Sequence, residues 1–172
     1  MAIRIARHGY RHRLDVRLIV AAVLACSTPA SPQDVPADSG AAWVSASTGY
    51  ASPGTANALE AWLRPAGRLV FSAGYSHVDQ GGSDPAKFTN VYSLVAGLRI
   101  PVWVLRLSAA AGGGQATSPL ADRQNGVRPV WNFAIDCPVS KHVALHASHV
   151  AIIGGQRPYQ AETIGIAIGG VR

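Results

Sequence analysis

Residues Val91 to Gly112 read VYSLVAGLRIPVWVLRLSAAAG, and their alternation decides the fold. Before Pro101, Tyr92, Leu94, Ala96, Leu98 and Ile100 fall on one side, and Ser93, Gly97 and Arg99 on the other. After it, Trp103, Leu105, Leu107, Ala109 and Ala111 oppose Arg106, Ser108, Ala110 and Gly112. A period of two marks a β-strand, because successive side chains leave opposite faces. One apolar face backed by a face that carries arginines suits the wall of a closed barrel, with lipid outside and a polar lumen inside.

The rest of the chain repeats the pattern. Eight segments are expected to be strands: Ala42–Tyr50, Ala56–Arg64, Arg68–Val78, Thr89–Ile100, Val102–Gly112, Val127–Cys137, His142–Ala151 and Glu162–Val171. In the sixth, Trp131, Phe133 and Ile135 oppose Asn132 and Asp136. Short links (Pro65–Gly67, Pro101, Pro138–Lys141) alternate with long ones, among them Asp79–Phe88, Gly113–Gly126 and Ile152–Ala161. Short turns at one end and long loops at the other are the sequence signature of an outer-membrane barrel. The expected fold is therefore all-β, an eight-stranded antiparallel up-and-down transmembrane β-barrel over residues 42–172. Its termini are in the periplasm and its long loops outside. Glu60, Arg99, Arg106 and Asp136 are expected to pair inside the lumen, which is too narrow at eight strands for a channel.

Composition agrees with this class. Of 172 residues, 48% are hydrophobic and only 14% charged, against roughly 25% charged in ordinary soluble domains. The net charge of +6 is concentrated at the start, where Arg4, Arg7, Arg11, Arg13 and Arg17 stand against Asp15. Without that stretch no basic stripe is left, so nucleic acid is not an expected partner. The same stretch, followed by LIVAAVLA (Leu18–Ala25), reads as a signal peptide over residues 1–30, cleaved after Ala25 or Ala30. VLAC, ending at Cys26, is also similar to a lipoprotein box. If Cys26 leaves with the leader, Cys137 is the sole cysteine. Residues 31–41 read as a polar lead-in.

Two motifs are set aside. AAAGGG (Ala109–Gly114) lacks the Lys-Ser/Thr of a phosphate loop. His142, His146 and His149 are close in sequence, but His149 alternates to the other face, so neither a metal nor a cofactor is expected. His77 and Trp43 read as loop-edge and interface residues.

The chemistry rests on LHASHVAIIGGQRPYQAETIG, Leu145 to Gly165. A hairpin folded about Gly154, where glycine accepts positive φ, sets His146 opposite Glu162 and Ser148 opposite Gln160. Glu162 shares parity with Ile164, Ile166 and Ile168, which belong on the lipid side, so His146 and Ser148 are expected there too. Segment seven taken alone is ambiguous, since Val143, Leu145 and Ala147 would prefer that side. Polar groups facing lipid are costly unless paired and used. Ser148 would be the nucleophile, His146 its base, and Glu162 the group that orients the imidazole.

His146-Ala147-Ser148 in the penultimate strand, with Glu162 in the last, resembles the outer-membrane lipid A 3-O-deacylases, which are eight-stranded barrels carrying His-x-Ser and Glu at these places. The resemblance implies an esterase that removes the ester-linked 3-hydroxyacyl chain at the 3 position of lipid A, without metal. Where members of that family follow the Ser with Asn and small residues, this chain has His149-Val150-Ala151. Oxyanion donors would be Gln156 or backbone N–H groups at Gly154 and Gly155. The implied partner is lipid A, or lipopolysaccharide, in the outer leaflet, with homodimerisation left open. The alternative is a non-enzymatic small outer-membrane barrel with a structural or surface-binding role. A third reading is a periplasmic β-domain tethered through Cys26.

Overall fold

The computed structural model describes residues 40–52, 54–79, 88–117, 126–153 and 159–170. The signal peptide, most of the lead-in and the residues 154–156 assigned to oxyanion binding lie outside the described residues.

Eight strands close on themselves: β1 (Ala41–Ser52), β2 (Thr55–Arg64), β3 (Leu69–Asp79), β4 (Phe88–Val102), β5 (Leu105–Thr117), β6 (Arg128–Pro138), β7 (Val143–Ile152) and β8 (Tyr159–Gly169). Each pairs antiparallel with its sequence neighbours, and β1 pairs with β8 to close the wall. This is the expected eight-stranded up-and-down barrel. The described residues contain no helix long and apolar enough to cross a membrane. The strands, at 10 to 15 residues, have the length to cross one when tilted.

The alternation seen in the sequence is realised as inside and outside. Leu59, Leu63, Phe71, Leu94, Leu98, Trp131, Phe133, Ile135, Ile164, Ile166 and Ile168 are exposed, while their sequence neighbours are buried or half-buried. In water such a surface would far exceed the apolar patches that soluble monomers carry. In hydrocarbon it is the favourable solvent-facing surface, and closure leaves no strand edge unpaired.

Lumen-facing glycines let the strands coil tightly enough to close. A Cβ on Gly165 would fall on the Ala46 carbonyl, and one on Gly97 on the Ala109 carbonyl, so any side chain there forces the neighbouring strand away.

Several boundaries differ from expectation: β5 runs on to Thr117 and β8 begins at Tyr159, both inside stretches expected to be loops, and the β4–β5 turn moves. Pro101 lies within β4, paired with Arg106, and the turn comes two residues later at Trp103 and Val104, between the paired Val102 and Leu105. Trp103 takes φ 55°, a left-handed conformation that costs a non-glycine residue about 1–2 kcal/mol. Positive φ at the first position of a two-residue turn matches the twist of the flanking strands, which is why hairpins use it.

Candidate functional site in the barrel lumen

The lumen has two tiers. Toward the long-loop end it is filled by an apolar cluster that includes Val78, Val91, Val95, Val130, Val150 and Ile152. Toward the short-turn end it holds charged and aromatic side chains, and these form a closed cycle.

The cycle starts at Glu60, whose carboxylate accepts hydrogen bonds from Trp62 Nε1 (3.0 Å) and Asn132 Nδ2 (3.1 Å). Its Oε2 also lies 3.1 Å from His146 Nε2. The other ring nitrogen, Nδ1, is 2.6 Å from Asp136 Oδ1, and Asp136 Oδ2 takes the Arg99 guanidinium. Arg99 Cζ sits 4.2 Å from the centroid of the Trp43 ring. Trp43 stacks on Trp62 with centroids 5.8 Å apart and planes within 3°, which returns the cycle to its start. Strands β1, β2, β4, β6 and β7 are joined this way across the interior.

Charge balances within the cycle. Two carboxylates meet one guanidinium and one imidazole with an acceptor at each nitrogen, and only a doubly protonated ring donates from both. Glu60, Asp136 and His146 are 2%, 0% and 1% exposed. At that burial an unpaired charge would cost several kcal/mol, so each must be fully matched. Arg99, Glu60 and Asp136 therefore lie in the lumen as expected. Arg106 is half-buried and donates to the carbonyls of Trp103 (3.4 Å) and Leu105 (3.1 Å). Trp43, read from the sequence as an interface residue, is a lumen residue at 3% exposure. His77 lies within β3, its Nδ1 2.9 Å from Asn90 Oδ1.

The expected hydrolytic arrangement is corrected by the register. In the β7–β8 pair His146 faces Gly165, Ser148 faces Thr163, and Glu162 faces His149. Cross-strand partners share a face, so an odd shift sends one strand's set to the opposite side. His146 and Ser148 are buried in the lumen, at 1% and 6% exposure, whereas Glu162 is exposed on the outer wall. The wall separates the carboxylate from the other two.

Inside the lumen, Ser148 and His146 do not form a nucleophile–base pair either. Ser148 Oγ lies 2.9 Å from Thr163 Oγ1, which also accepts from Ser47 Oγ at 2.8 Å. Both nitrogens of His146 are occupied by carboxylates. Activation of a serine needs a base with a nitrogen free to take its proton. Outside, Glu162 Oε1 stands 3.7 Å from His149 Nδ1, a loose contact open to the surroundings.

Among the described residues, no group of three His, Cys, Asp or Glu is placed to hold a metal. The cycle was partly legible as charges of lumen parity. Its aromatic members were missed, although Glu60-Ala61-Trp62 alternates in the same phase and signals a shared face.

No known protein family and no curated protein sequence matches the chain. Solved structures do. The N-terminal β-barrel domain of Pseudomonas aeruginosa OprF matches with TM-score 0.58 at 11% identity, covering 77% of this chain and 98% of that one. A de novo designed transmembrane β-barrel matches at 0.57 and 19% identity, over 75% and 94%. Ail, the attachment invasion locus protein of Yersinia pestis, matches at 0.54 and 9%, over 76% and 97%. At these identities the likeness is one of fold: this chain has the architecture of small eight-stranded membrane barrels.

Proposed function

We propose that the protein is a small outer-membrane barrel with a structural or surface-binding role and no hydrolytic activity of its own. The observation that carries this reading is the closed cycle from Glu60 through His146, Asp136, Arg99 and Trp43 to Trp62. It commits Glu60, Asp136, Arg99 and His146 to holding strands together, and a buried apolar cluster fills the tier above them. A plugged lumen favours neither solute passage nor catalysis. The residues expected to hydrolyse lipid A are parted by the wall, so nothing in their geometry supports a shared reaction. The outer-membrane setting is supported by the apolar exterior and by the fold shared with the OprF domain and Ail.

The test is behavioural. The chain should fractionate with the outer membrane, migrate faster on gels unboiled than boiled, and give no step conductance when reconstituted in a planar bilayer. Release in the soluble periplasmic fraction, or discrete conductance steps from the folded barrel, would refute it.

A further inference from the structure

At the short-turn end, Arg64 and Arg68 flank the β2–β3 turn, Arg106 follows the β4–β5 turn, and Lys141 lies in the β6–β7 turn. Among the described residues no carboxylate is exposed at that end, because Glu60 and Asp136 are buried in the lumen cycle. The opposite end is mixed among the described residues, with Asp79 on β3 and Glu162 on β8 as well as Arg128 on β6. Large apolar side chains stand among the cations: Trp103 is 78% exposed and Val139 64%.

We infer that this cationic rim binds the headgroups of anionic phospholipids in the leaflet it faces. The inference rests on the outer-membrane reading above, under which an even strand number turns the short links toward the periplasm. Three arrangements favour lipid over a soluble polyanion. The turns lie at every second strand junction, so the cations are spread round the circumference, as a lipid annulus needs and a single docked protein does not. Trp103 offers an indole at the height of the cations, where aromatic side chains settle between headgroup and acyl chain. Arg106 Nη1 donates to the Trp103 and Leu105 carbonyls, which holds its guanidinium at the β4–β5 turn, level with the rim.

The experiment uses the full chain, folded into nanodiscs of phosphatidylcholine alone and of phosphatidylcholine mixed equally with phosphatidylglycerol. Native mass spectrometry then counts the lipids that stay bound on release. The wild type should retain phosphatidylglycerol in clear excess over its share. Arg68→Gln and Lys141→Gln should each reduce that excess by about fivefold, the effect of one basic side chain beside an anionic surface. High salt should reduce it as well. Retention at the bulk ratio, or variants that keep the wild-type excess, would overturn the inference. So would loss of the excess in Arg128→Gln alone, which would place the binding at the other rim. Gel mobility in each disc separates the two levels. A chain that inserts in both compositions without lipid preference refutes only this inference, and one that inserts in neither refutes the outer-membrane reading with it.

Discussion

His146 and Asp136 sit opposite each other on β7 and β6, and their side chains meet at 2.6 Å inside the lumen. The same imidazole reaches Glu60 on β2, so one ring bridges two carboxylates on strands that are not neighbours in the sheet. Removing it should expose the cost of the arrangement. His146→Leu leaves Glu60 and Asp136 buried with a counter-charge missing, and should lower stability by about 3–5 kcal/mol. Denaturant unfolding in detergent micelles measures this. His149→Ala, on the outer wall, should change stability by no more than about 0.5 kcal/mol, and equal effects of the two would refute the assigned faces.

The two arginines near the β4–β5 turn should separate in the same assay. Arg99→Met breaks the pair with Asp136 and vacates the face of Trp43, for a loss of about 3–5 kcal/mol. Arg106→Met loses hydrogen bonds to two backbone carbonyls at the rim and should cost about 1 kcal/mol. The reverse order would mean that Arg106 holds the inner charge.

The exterior has its own test. Leu94 is 68% exposed near the middle of β4. Leu94→Arg should destabilise the barrel in a bilayer by about 2–4 kcal/mol, the cost of a cation at the midplane of a barrel wall. A negligible effect would show that this face does not meet hydrocarbon.

Gly165→Val should block closure of the seam between β1 and β8, since its Cβ would meet the Ala46 carbonyl. The expected readout is a low yield of the compact, fast-migrating band after refolding. Wild-type yield would show that the strands can separate there at little cost.

Much of the fold was legible because each strand declares its faces locally. The isoleucines of β8 and the Val143, Leu145 and Ala147 set of β7 were each read with the correct outward preference, and the structure places both outside. The error lay between them. A turn centred at Gly154 would set Glu162 against His146, but Glu162 pairs with His149, three positions beyond His146. Register depends on how the loop spends its residues, and those residues carry no periodic signal. With the two strand patterns in conflict under that register, the conflict itself was the available warning: a hairpin that sends Leu145 inward and His146 outward contradicts the pattern of β7. The Trp103 turn was hidden for a related reason, since Pro101 is the stronger local break and Trp is a rare occupant of positive φ.

Lipid A itself gives the most direct measurement of the functional claim. The wild-type protein, shown by gel mobility to be folded in the outer membrane, should leave the mass of lipid A unchanged relative to cells without it. His146 then serves only to join Glu60 to Asp136, and Glu162 lies across the wall from it. Loss of the mass of one 3-hydroxyacyl chain, abolished by Ser148→Ala in an equally folded barrel, would contradict the account and restore hydrolysis as the function.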